Sequence, residues 1–248
     1  MDIQKLFDDK AEIYAKARPH YPKALYQWLA DACDGHERVW DAGCGNGQAA
    51  AHLREYFSVV EASDVSAAQI ENAPTYHGVH YSVRPSEDTG YPDDYFDPVC
   101  VALALHWFDY EKFWPEVKRV LRPGGLFAAW GYSWPHLGME LDGVLEQSLL
   151  QVIEPYWAPQ NLLLWNEYKD VPFPLEPIRT PRFELIMPWT LDEFFSYLHS
   201  WSATRRCMED RGDSFFADSY ARMKEAWGGM KTRPVTMDVF ILAGRHGG

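Results

Sequence analysis

A glycine-rich loop followed by an acidic residue is the part of this sequence best suited to chemistry. The segment DAGCGNG, residues 41–47, follows an apolar run, as expected where a strand ends and a helix begins. Glycines let a backbone approach a ligand closely. Asp64 ends the next predicted strand, where a carboxylate can accept hydrogen bonds from ribose hydroxyls. The two features together predict a nucleoside site.

The glycine spacing in this loop fits two kinds of cofactor. Gly45, Gly47 and Ala50 match the G-x-G-x-x-A pattern of dinucleotide-binding loops, whereas Gly43, Gly45 and Gly47 match G-x-G-x-G. Asp41 would repel a pyrophosphate but attract a cofactor that carries an ammonium and a sulfonium. S-adenosylmethionine is such a cofactor. Asp41 therefore favours methyl transfer, and an NAD(P)-dependent oxidoreductase stays open as an alternative.

The elements that must position this loop alternate between strands and helices in the first half of the chain. Strands are predicted at 38–43, 58–64, 79–83, 98–105 and 126–132, and helices at 22–34, 48–56, 66–73 and 111–121. This alternation predicts an α/β fold with a Rossmann-like, mostly parallel seven-stranded sheet and helices on both faces. Ligands bind such sheets beyond the carboxyl ends of the strands.

The second half of the chain follows a different pattern. Helices are predicted at 139–153, 191–200 and 214–227, and strands at 182–189 and 236–245. The two late strands predict an antiparallel edge of the same sheet. We expect a single domain of 1–248, with N-terminal helices in 1–34, a core of 36–131 and 181–246, and a small helical cap at about 132–180.

Composition excludes several classes of partner. The net charge of the 248 residues is −13, and such a chain lacks the positive field that supplies most nonspecific nucleic-acid affinity. No apolar run reaches the ~18 residues of a membrane span, and the N-terminus has no apolar signal-peptide core. The four cysteines have no C-x-x-C spacing, which predicts reduced thiols, a cytoplasmic location and no metal site.

Five motifs in a fixed order carry a resemblance to a known family. They are DAGCGNG, ASDVSAAQI, SEDTGYPDDYFD, ALALHWFD and VLRPGG. The chain resembles the class I S-adenosylmethionine-dependent methyltransferases over roughly residues 7–245. Within that superfamily it is most similar to the type 11 branch that contains trans-aconitate methyltransferases, through FDDKAEIYAKARPHYP, ALHWFD and YLHSWSA.

The resemblance implies a set of contacts to the cofactor. Backbone groups of Gly43, Cys44 and Gly45 would contact the methionyl part of S-adenosylmethionine, and Asp41 would support its ammonium. The alternative for this loop is a simple tight turn between a strand and a helix.

The nucleoside half of the cofactor would lie on the next two strands. Asp64 would bind the ribose hydroxyls and Val65 would pack on the adenine; the alternative for Asp64 is an N-cap of helix 66–73. Ser86 would offer its backbone N–H to the adenine ring, and Glu87 would accept from the exocyclic amine. Many relatives carry an aspartate where this chain has Pro85, and this departure weakens the expected side-chain contact with adenine.

The reacting end would lie after the fourth strand. Leu103 would offer its carbonyl to the methionyl ammonium, and His106 and Trp107 would wall the methyl-transfer site. His106 is a candidate general base for a hydroxyl acceptor; the alternative is a structural histidine. Tyr14 and Arg18 lie four apart on one predicted helical face. The resemblance implies that this segment folds over the active site, with Tyr14 closing on the cofactor and Arg18 on its carboxylate. A solvated helix is the alternative there.

The predicted function is methyl transfer from S-adenosylmethionine to the carboxylate or hydroxyl of a small organic molecule, which leaves S-adenosylhomocysteine. Most of the 11 tryptophans lie at or after residue 130, which favours an apolar acceptor pocket, although core packing is the alternative. Four arginines are candidate carboxylate ligands: Arg179, Arg182, Arg205 and Arg206. The third hypothesis, beside the oxidoreductase, is a non-catalytic methyltransferase-like scaffold.

Overall fold

The computed structural model describes residues 18–247, which form two compact units. The larger unit contains Tyr21–Ser133, Leu162–Phe183 and residues 238–247. The smaller unit contains residues 18–20, Trp134–Asn161 and Glu184–Met237. The smaller unit thus combines residues 134–161 of the predicted cap with residues 184–237, which the sequence analysis assigned to the core.

The described helices and strands follow one another closely along the chain. The first nine are α1 (Lys23–Asp31), β1 (Arg38–Ala42), α2 (Ala50–Leu53), β2 (Val59–Asp64), α3 (Ala67–Glu71), β3 (Val79–Val83), β4 (Phe96–Ala102), α4 (Tyr110–Val120) and β5 (Leu121–Tyr132). The others are α5 (Met139–Leu145), α6 (Gln151–Ile153), α7 (Asn161–Trp165), β6 (Glu176–Pro177), β7 (Phe183–Trp189), α8 (Leu191–His199), α9 (Ser202–Arg211), α10 (Ser214–Trp227) and β8 (Arg233–Arg245).

The sheet confirms the expected Rossmann-like α/β fold. Across the described residues the strand order is β3-β2-β1-β4-β5-β8-β6, and β7 pairs with β8 off this path. The pairs among β1 to β5 are parallel, whereas β8 runs antiparallel to β5 and β6. The strand order reverses between β1 and β4. In sheets of this kind the ligand crevice opens at that point, beyond the carboxyl ends of the strands.

The centre of the sheet is buried on both faces. Residues 39–42 of β1 and 96–101 of β4 are inaccessible to solvent, as is typical of central parallel strands covered by helices. Trp40 stacks on Phe96 with ring centroids 6.0 Å apart and lies 6.4 Å from Phe113. Burying each such side chain stabilises the fold by about 1.5–3 kcal/mol. This packing gives the crevice a rigid floor.

The RPGG segment of the VLRPGG motif forms a bulge within β5. Leu121 pairs with Phe96 and Leu126 already pairs with Pro98, so the residues between them leave the register. Gly124 has a φ of 77°, which a side chain would strain.

The smaller unit is mostly helical. A π-helical turn, Glu146–Leu150, joins α5 to α6, where sequence analysis predicted one helix. It places Ser148 Oγ 2.8 Å from Ser219 Oγ on α10, so two buried hydroxyls satisfy each other. Helix α8 begins with a capping box, in which Thr190 accepts from the Glu193 N–H and the Glu193 carboxylate accepts from the Thr190 N–H.

Within residues 18–247 no helix has both the length and the apolar character required to cross a bilayer. The same residues contain no group of three or more histidine, cysteine, aspartate or glutamate side chains placed to hold a metal ion. All four cysteines are buried and free.

Candidate functional site

The loop that follows β1 uses its glycines in different ways. Gly43, Gly45 and Gly47 have φ values of 67°, 55° and 82°. A Cβ on Gly43 would lie 2.8 Å from the Cβ of Ala104, and one on Gly47 would lie 2.2 Å from the hydroxyl of Tyr81. These two glycines are therefore required by their close neighbours.

Gly45 instead borders open space. The nearest atom to a Cβ placed on it is Gln69 Oε1, at 4.0 Å. Its backbone N–H donates to Asp64 Oδ2 at 2.9 Å, and the Cys44 N–H donates to the Ser63 carbonyl at 2.9 Å. The loop is thus tied to the end of β2, and the space over Gly45 can receive a ligand.

Asp64 is held in place by two backbone groups. Besides the Gly45 N–H, it accepts the Ser66 N–H on Oδ1 at 2.8 Å. The cap of α3 is Ser66, whose side chain accepts from the Gln69 N–H, so Asp64 is not the N-cap considered above. A carboxylate has about four acceptor positions. Both oxygens of Asp64 can therefore still accept hydrogen bonds from a ligand.

An apolar surface adjoins Asp64. Val65 is 70% exposed, and Val83, which pairs with Asp64 in the β2–β3 register, is 54% exposed. Exposed valines at the ends of two neighbouring strands are suited to the face of an aromatic ring. Val83 was not among the predicted site residues.

Asp41 is a buried carboxylate with no counter-charge among the residues that the structure describes. Its side chain is completely buried, and neither oxygen has a hydrogen-bond partner of conventional geometry among the described residues. Burial raises the pKa of Asp41 to about 7, and the charge of Asp64 adds to this rise, while the nearby backbone N–H of Ala50 opposes it. An orphaned buried carboxylate is costly. Such a group is suited to a cationic ligand.

The loop after β3 is fastened to α4. The Thr89 N–H donates to the buried Glu116 carboxylate at 2.9 Å, and the Asp109 N–H donates to Glu87 Oε1 at 3.0 Å. Ser86, which directly precedes these two anchors in sequence, is buried. Glu87 thus already has one backbone partner at the start of α4, so only part of its acceptor capacity is available to an adenine.

The loop after β4 carries backbone strain. Leu103 has a φ of 55°, a left-handed conformation that costs roughly 1–2 kcal/mol for a residue with a side chain. Its N–H donates to the Trp130 carbonyl of β5 at 2.9 Å. A 3₁₀ turn, Leu105–Trp107, follows, in which Trp107 is 49% exposed. Strained residues of this kind cluster at functional sites.

His106 in that turn is buried and neutral. It is 4% exposed, and burial lowers its pKa to about 4. Its Nδ1 lies 3.3 Å from the hydroxyl of Tyr168. Sequence reasoning missed Tyr168, because the two residues are 62 positions apart and no motif links them. The role of His106 in catalysis stays a prediction.

The remaining predicted residues are Tyr14, Arg18 and the arginines named as candidate carboxylate ligands. Tyr14 lies outside the described residues, and Arg18 belongs to the smaller unit, so both stay predictions. Arg182 pairs with Glu167 through two bonds of 2.9 and 2.5 Å, and Arg206 donates to the Tyr156 carbonyl at 3.2 Å.

Some of the tryptophans in the second half of the chain pack against one another. Within the smaller unit Trp134, Trp157 and Trp201 form one cluster, with ring centroids 5.3–5.7 Å apart. Trp130 belongs to the larger unit and is completely buried. Core packing therefore accounts for a share of these residues, as the sequence analysis allowed.

The chain is similar to several known proteins. The family model described as "Methyltransferase domain" matches residues 40–129. A protein of Dictyostelium discoideum assigned as a methyltransferase is 32% identical over 204 residues, which cover 79% of this chain and 78% of that protein. An uncharacterised methyltransferase of Mycobacterium tuberculosis is 32% identical over 184 residues, 67% and 72% of the two chains. A solved structure from Anaeromyxobacter dehalogenans, assigned as a type II methyltransferase, has a TM-score of 0.86 and 36% identity, and covers 93% of this chain and 98% of its own.

Proposed function

The chain belongs to the class I S-adenosylmethionine-dependent methyltransferases, and on that premise we propose that it methylates an oxygen atom, carboxylate or hydroxyl, of a small organic molecule. The single observation that carries the assignment of the cofactor site is the orphaned carboxylate of Asp41. A net charge of −13 disfavours nucleic acid as the substrate.

The residues at the carboxyl ends of β1 and β2 fit the cofactor by their chemistry. Asp41 is buried, has no cationic neighbour among its described contacts, and would gain a counter-ion from the ammonium of the methionyl group. Gly45 leaves open space for that group, and its neighbours Gly43 and Cys44 expose backbone groups in the same loop. Leu103 would add its carbonyl.

The nucleoside would lie along the next two strands. Asp64 would accept from the ribose hydroxyls, using the acceptor positions that Gly45 and Ser66 leave open. Val65 would pack on the adenine. Ser86 and Glu87 would contact its edge, with the Glu87 contact weakened by the bond that Asp109 already makes.

The protein's contribution to the reaction is alignment. Bound S-adenosylmethionine supplies a methyl group on a sulfonium, which is an activated leaving group. The loop after β4, with His106 and Trp107, would wall the transfer site and exclude water. Holding an acceptor oxygen in line with the methyl carbon can contribute on the order of 7–11 kcal/mol.

We also propose membership of the branch that contains trans-aconitate methyltransferases, supported by the ALHWFD and YLHSWSA motifs. A cytoplasmic location is supported by the four free, buried cysteines. Tyr14 and Arg18 are proposed to close over the cofactor, as the resemblance of the N-terminal segment FDDKAEIYAKARPHYP to that branch implies.

The nicotinamide alternative is not favoured. A pyrophosphate over Gly45 would lie beside Asp41 and Asp64, and neither carboxylate has a lysine or arginine partner among the described residues. Repulsion between the pyrophosphate and these two carboxylates would weaken binding. A scaffold without turnover is less economical, because the glycine loop and both acidic residues are intact.

Isothermal calorimetry with the full chain tests the proposal. We expect S-adenosylmethionine and S-adenosylhomocysteine to bind with one site each and NADH to give no heat. Incubation with S-adenosylmethionine and a panel of small carboxylic acids and phenols, read by formation of S-adenosylhomocysteine, then identifies the acceptor. Binding of NADH without binding of S-adenosylhomocysteine would overturn the assignment.

A further inference from the structure

The hydroxyl of Tyr168 forms a buried contact with His106 that the reaction described above does not use. Tyr168 is 1% exposed and its oxygen lies 3.3 Å from His106 Nδ1. The two rings are nearly parallel, with centroids 6.2 Å apart and an interplanar angle of 27°. The ring of Phe240 packs against the phenol in a T-shaped arrangement, with a centroid distance of 5.5 Å. The contact is therefore shielded from water.

The hydrogen atom of this hydroxyl has one acceptor among the described contacts. A tyrosine hydroxyl has one donor hydrogen and can also accept. The nearby backbone N–H of Leu105 opposes the rise in the pKa of Tyr168 that burial causes. Since a buried hydroxyl seldom leaves its hydrogen unbound, the Tyr168 O–H donates to His106 Nδ1. The Nδ1 lone pair is then occupied, and a neutral imidazole must carry its proton on Nε2.

The backbone around Tyr168 is built to hold this position. Glu167 and Tyr168 have φ values of 55° and 60°, two consecutive left-handed residues with side chains. Such a turn persists only where its surroundings fix it. The Arg182 guanidinium donates two hydrogen bonds to the Glu167 carboxylate, and Lys169 Nζ lies 3.1 Å from the same carboxylate. The ion pairs are partly exposed and individually weak, but together they fix the side chain that precedes Tyr168.

We propose that Tyr168 is a positioning residue that fixes His106 as the neutral Nε2–H tautomer, so that His106 donates a hydrogen bond to a carboxylate acceptor, which has no proton to lose on methylation. The tautomer follows from the contacts of Tyr168 alone. The role toward the acceptor rests on the proposed methyl transfer. In this role His106 keeps its proton throughout the reaction, and the rate should not follow a histidine titration.

Nuclear magnetic resonance of the full chain, labelled with ¹⁵N-histidine, tests the tautomer without cofactor or acceptor. The His106 signals are assigned by their loss in His106→Gln. We expect the wild type to show a protonated Nε2 and an unprotonated Nδ1 from pH 5.5 to 8. Tyr168→Phe should give a mixture of the two neutral tautomers. Tyr110→Phe is the matched control, because it removes another buried phenol oxygen, one that has no hydrogen-bond partner among the described residues, and it should leave the His106 signals unchanged.

The outcomes separate this inference from the proposed function. A wild-type His106 with its proton on Nδ1, or one that becomes doubly protonated above pH 5.5, would overturn the inference whether or not S-adenosylhomocysteine binds. An unchanged tautomer in Tyr168→Phe would overturn the role of Tyr168. Should Tyr168→Phe fail to fold, the wild-type spectrum decides. Once an acceptor is known, a KM for it that rises at least tenfold in His106→Leu, which has no side-chain donor, with cofactor affinity unchanged, supports the donor role, and an unchanged KM contradicts it.

Discussion

Two buried aspartates lie toward opposite ends of the central strands, and they differ in what satisfies them. Asp97, near the amino end of β4, accepts the N–H groups of Glu37 at 2.7 Å and Arg38 at 2.8 Å on Oδ2, and its Oδ1 pairs with the Arg122 guanidinium. Asp41, near the carboxyl end of β1, has no conventional partner for either oxygen among the described residues. Both side chains are buried.

The difference separates a structural charge from a binding charge. A buried carboxylate with two N–H donors and a guanidinium is compensated, and it ties β4 to the start of β1. A buried carboxylate without compensation lowers the stability of the free protein. Its presence is explained if a cationic ligand supplies the missing charge. Under the proposed function, the amino end of the sheet serves stability and the carboxyl end serves binding.

The largest change in the free energy of unfolding is expected for Asp97, at the amino end of the sheet. Asp97→Ala leaves Arg122 and two backbone N–H groups without their acceptor, so the free energy of unfolding should fall by about 3–5 kcal/mol. Urea denaturation measures this loss. Glu37→Gln is the matched control, because Glu37 pairs with the same arginine at 2.8 Å but is exposed; it should cost less than about 1 kcal/mol. Equal stability of Asp97→Ala and wild type would remove the distinction between the two ends.

Substitution of Asp41, in contrast, is expected to raise the free energy of unfolding. The folded-state pKa of Asp41, about 7, is above the ordinary value of 3.8. Its ionised form therefore destabilises the free protein progressively as pH rises from about 4 to 7, and by about 4 kcal/mol above that range, since each pKa unit is worth about 1.4 kcal/mol. Asp41→Asn should raise the unfolding free energy by about 2–4 kcal/mol at pH 8 and by little at pH 4. Denaturation at the two pH values, without ligand, checks this; equal gains at both would contradict it.

The glycines of the loop after β1 also differ, because Gly47 is packed against a neighbour and Gly45 borders open space. Gly47→Ala places a Cβ against the Tyr81 hydroxyl and strains the backbone, so it should lose about 2–4 kcal/mol of stability. Gly45→Ala adds a Cβ in open space and should lose only about 1–2 kcal/mol, from its positive φ. Its larger effect should be on binding, with S-adenosylhomocysteine affinity reduced by about tenfold or more, because about 1.4 kcal/mol of lost contact is enough. An unchanged affinity of Gly45→Ala for S-adenosylhomocysteine would contradict the placement of the cofactor against this loop.

The smallest expected effect is the pH dependence of binding. Below pH 7 the free protein holds a proton on Asp41, and a cationic ligand must displace it. The affinity for S-adenosylhomocysteine should therefore fall by up to about tenfold per pH unit between pH 7 and 5.5 and level off above pH 7. Calorimetry in buffers of different ionisation enthalpy should detect the released proton. A profile of the same shape in Asp41→Asn would assign the dependence to another group.

The sequence predicted the part of the fold that rests on local pattern. The apolar runs of β1, β2 and β4 and the DAGCGNG loop are contiguous signals, and the strand order then follows from the parallel α/β arrangement. Helix α9 was missed because SATRRCMEDR buries only small or polar side chains and so has no apolar stripe. The grouping of residues 184–237 with 134–161 depends on contacts between segments distant in sequence.

The site was predictable to a similar degree. Gly43, Gly45, Asp64 and Val65 lie in or beside motifs, and the structure gathers them at the carboxyl ends of β1 and β2. The lack of a partner for Asp41 is a property of tertiary packing and has no sequence signal. Tyr168, in the segment that returns to the larger unit, likewise has no motif.

The most direct test compares two ligands on one variant by calorimetry at pH 8. S-adenosylhomocysteine carries the amino-acid ammonium, and methylthioadenosine has the same nucleoside without it. Asp41→Asn should weaken S-adenosylhomocysteine by at least tenfold, consistent with the loss of a charge-assisted contact worth about 1.5–3 kcal/mol, and leave methylthioadenosine unchanged. Equal affinity of wild type and Asp41→Asn for S-adenosylhomocysteine would contradict the account that the unpaired carboxylate at the end of β1 exists to receive a cation.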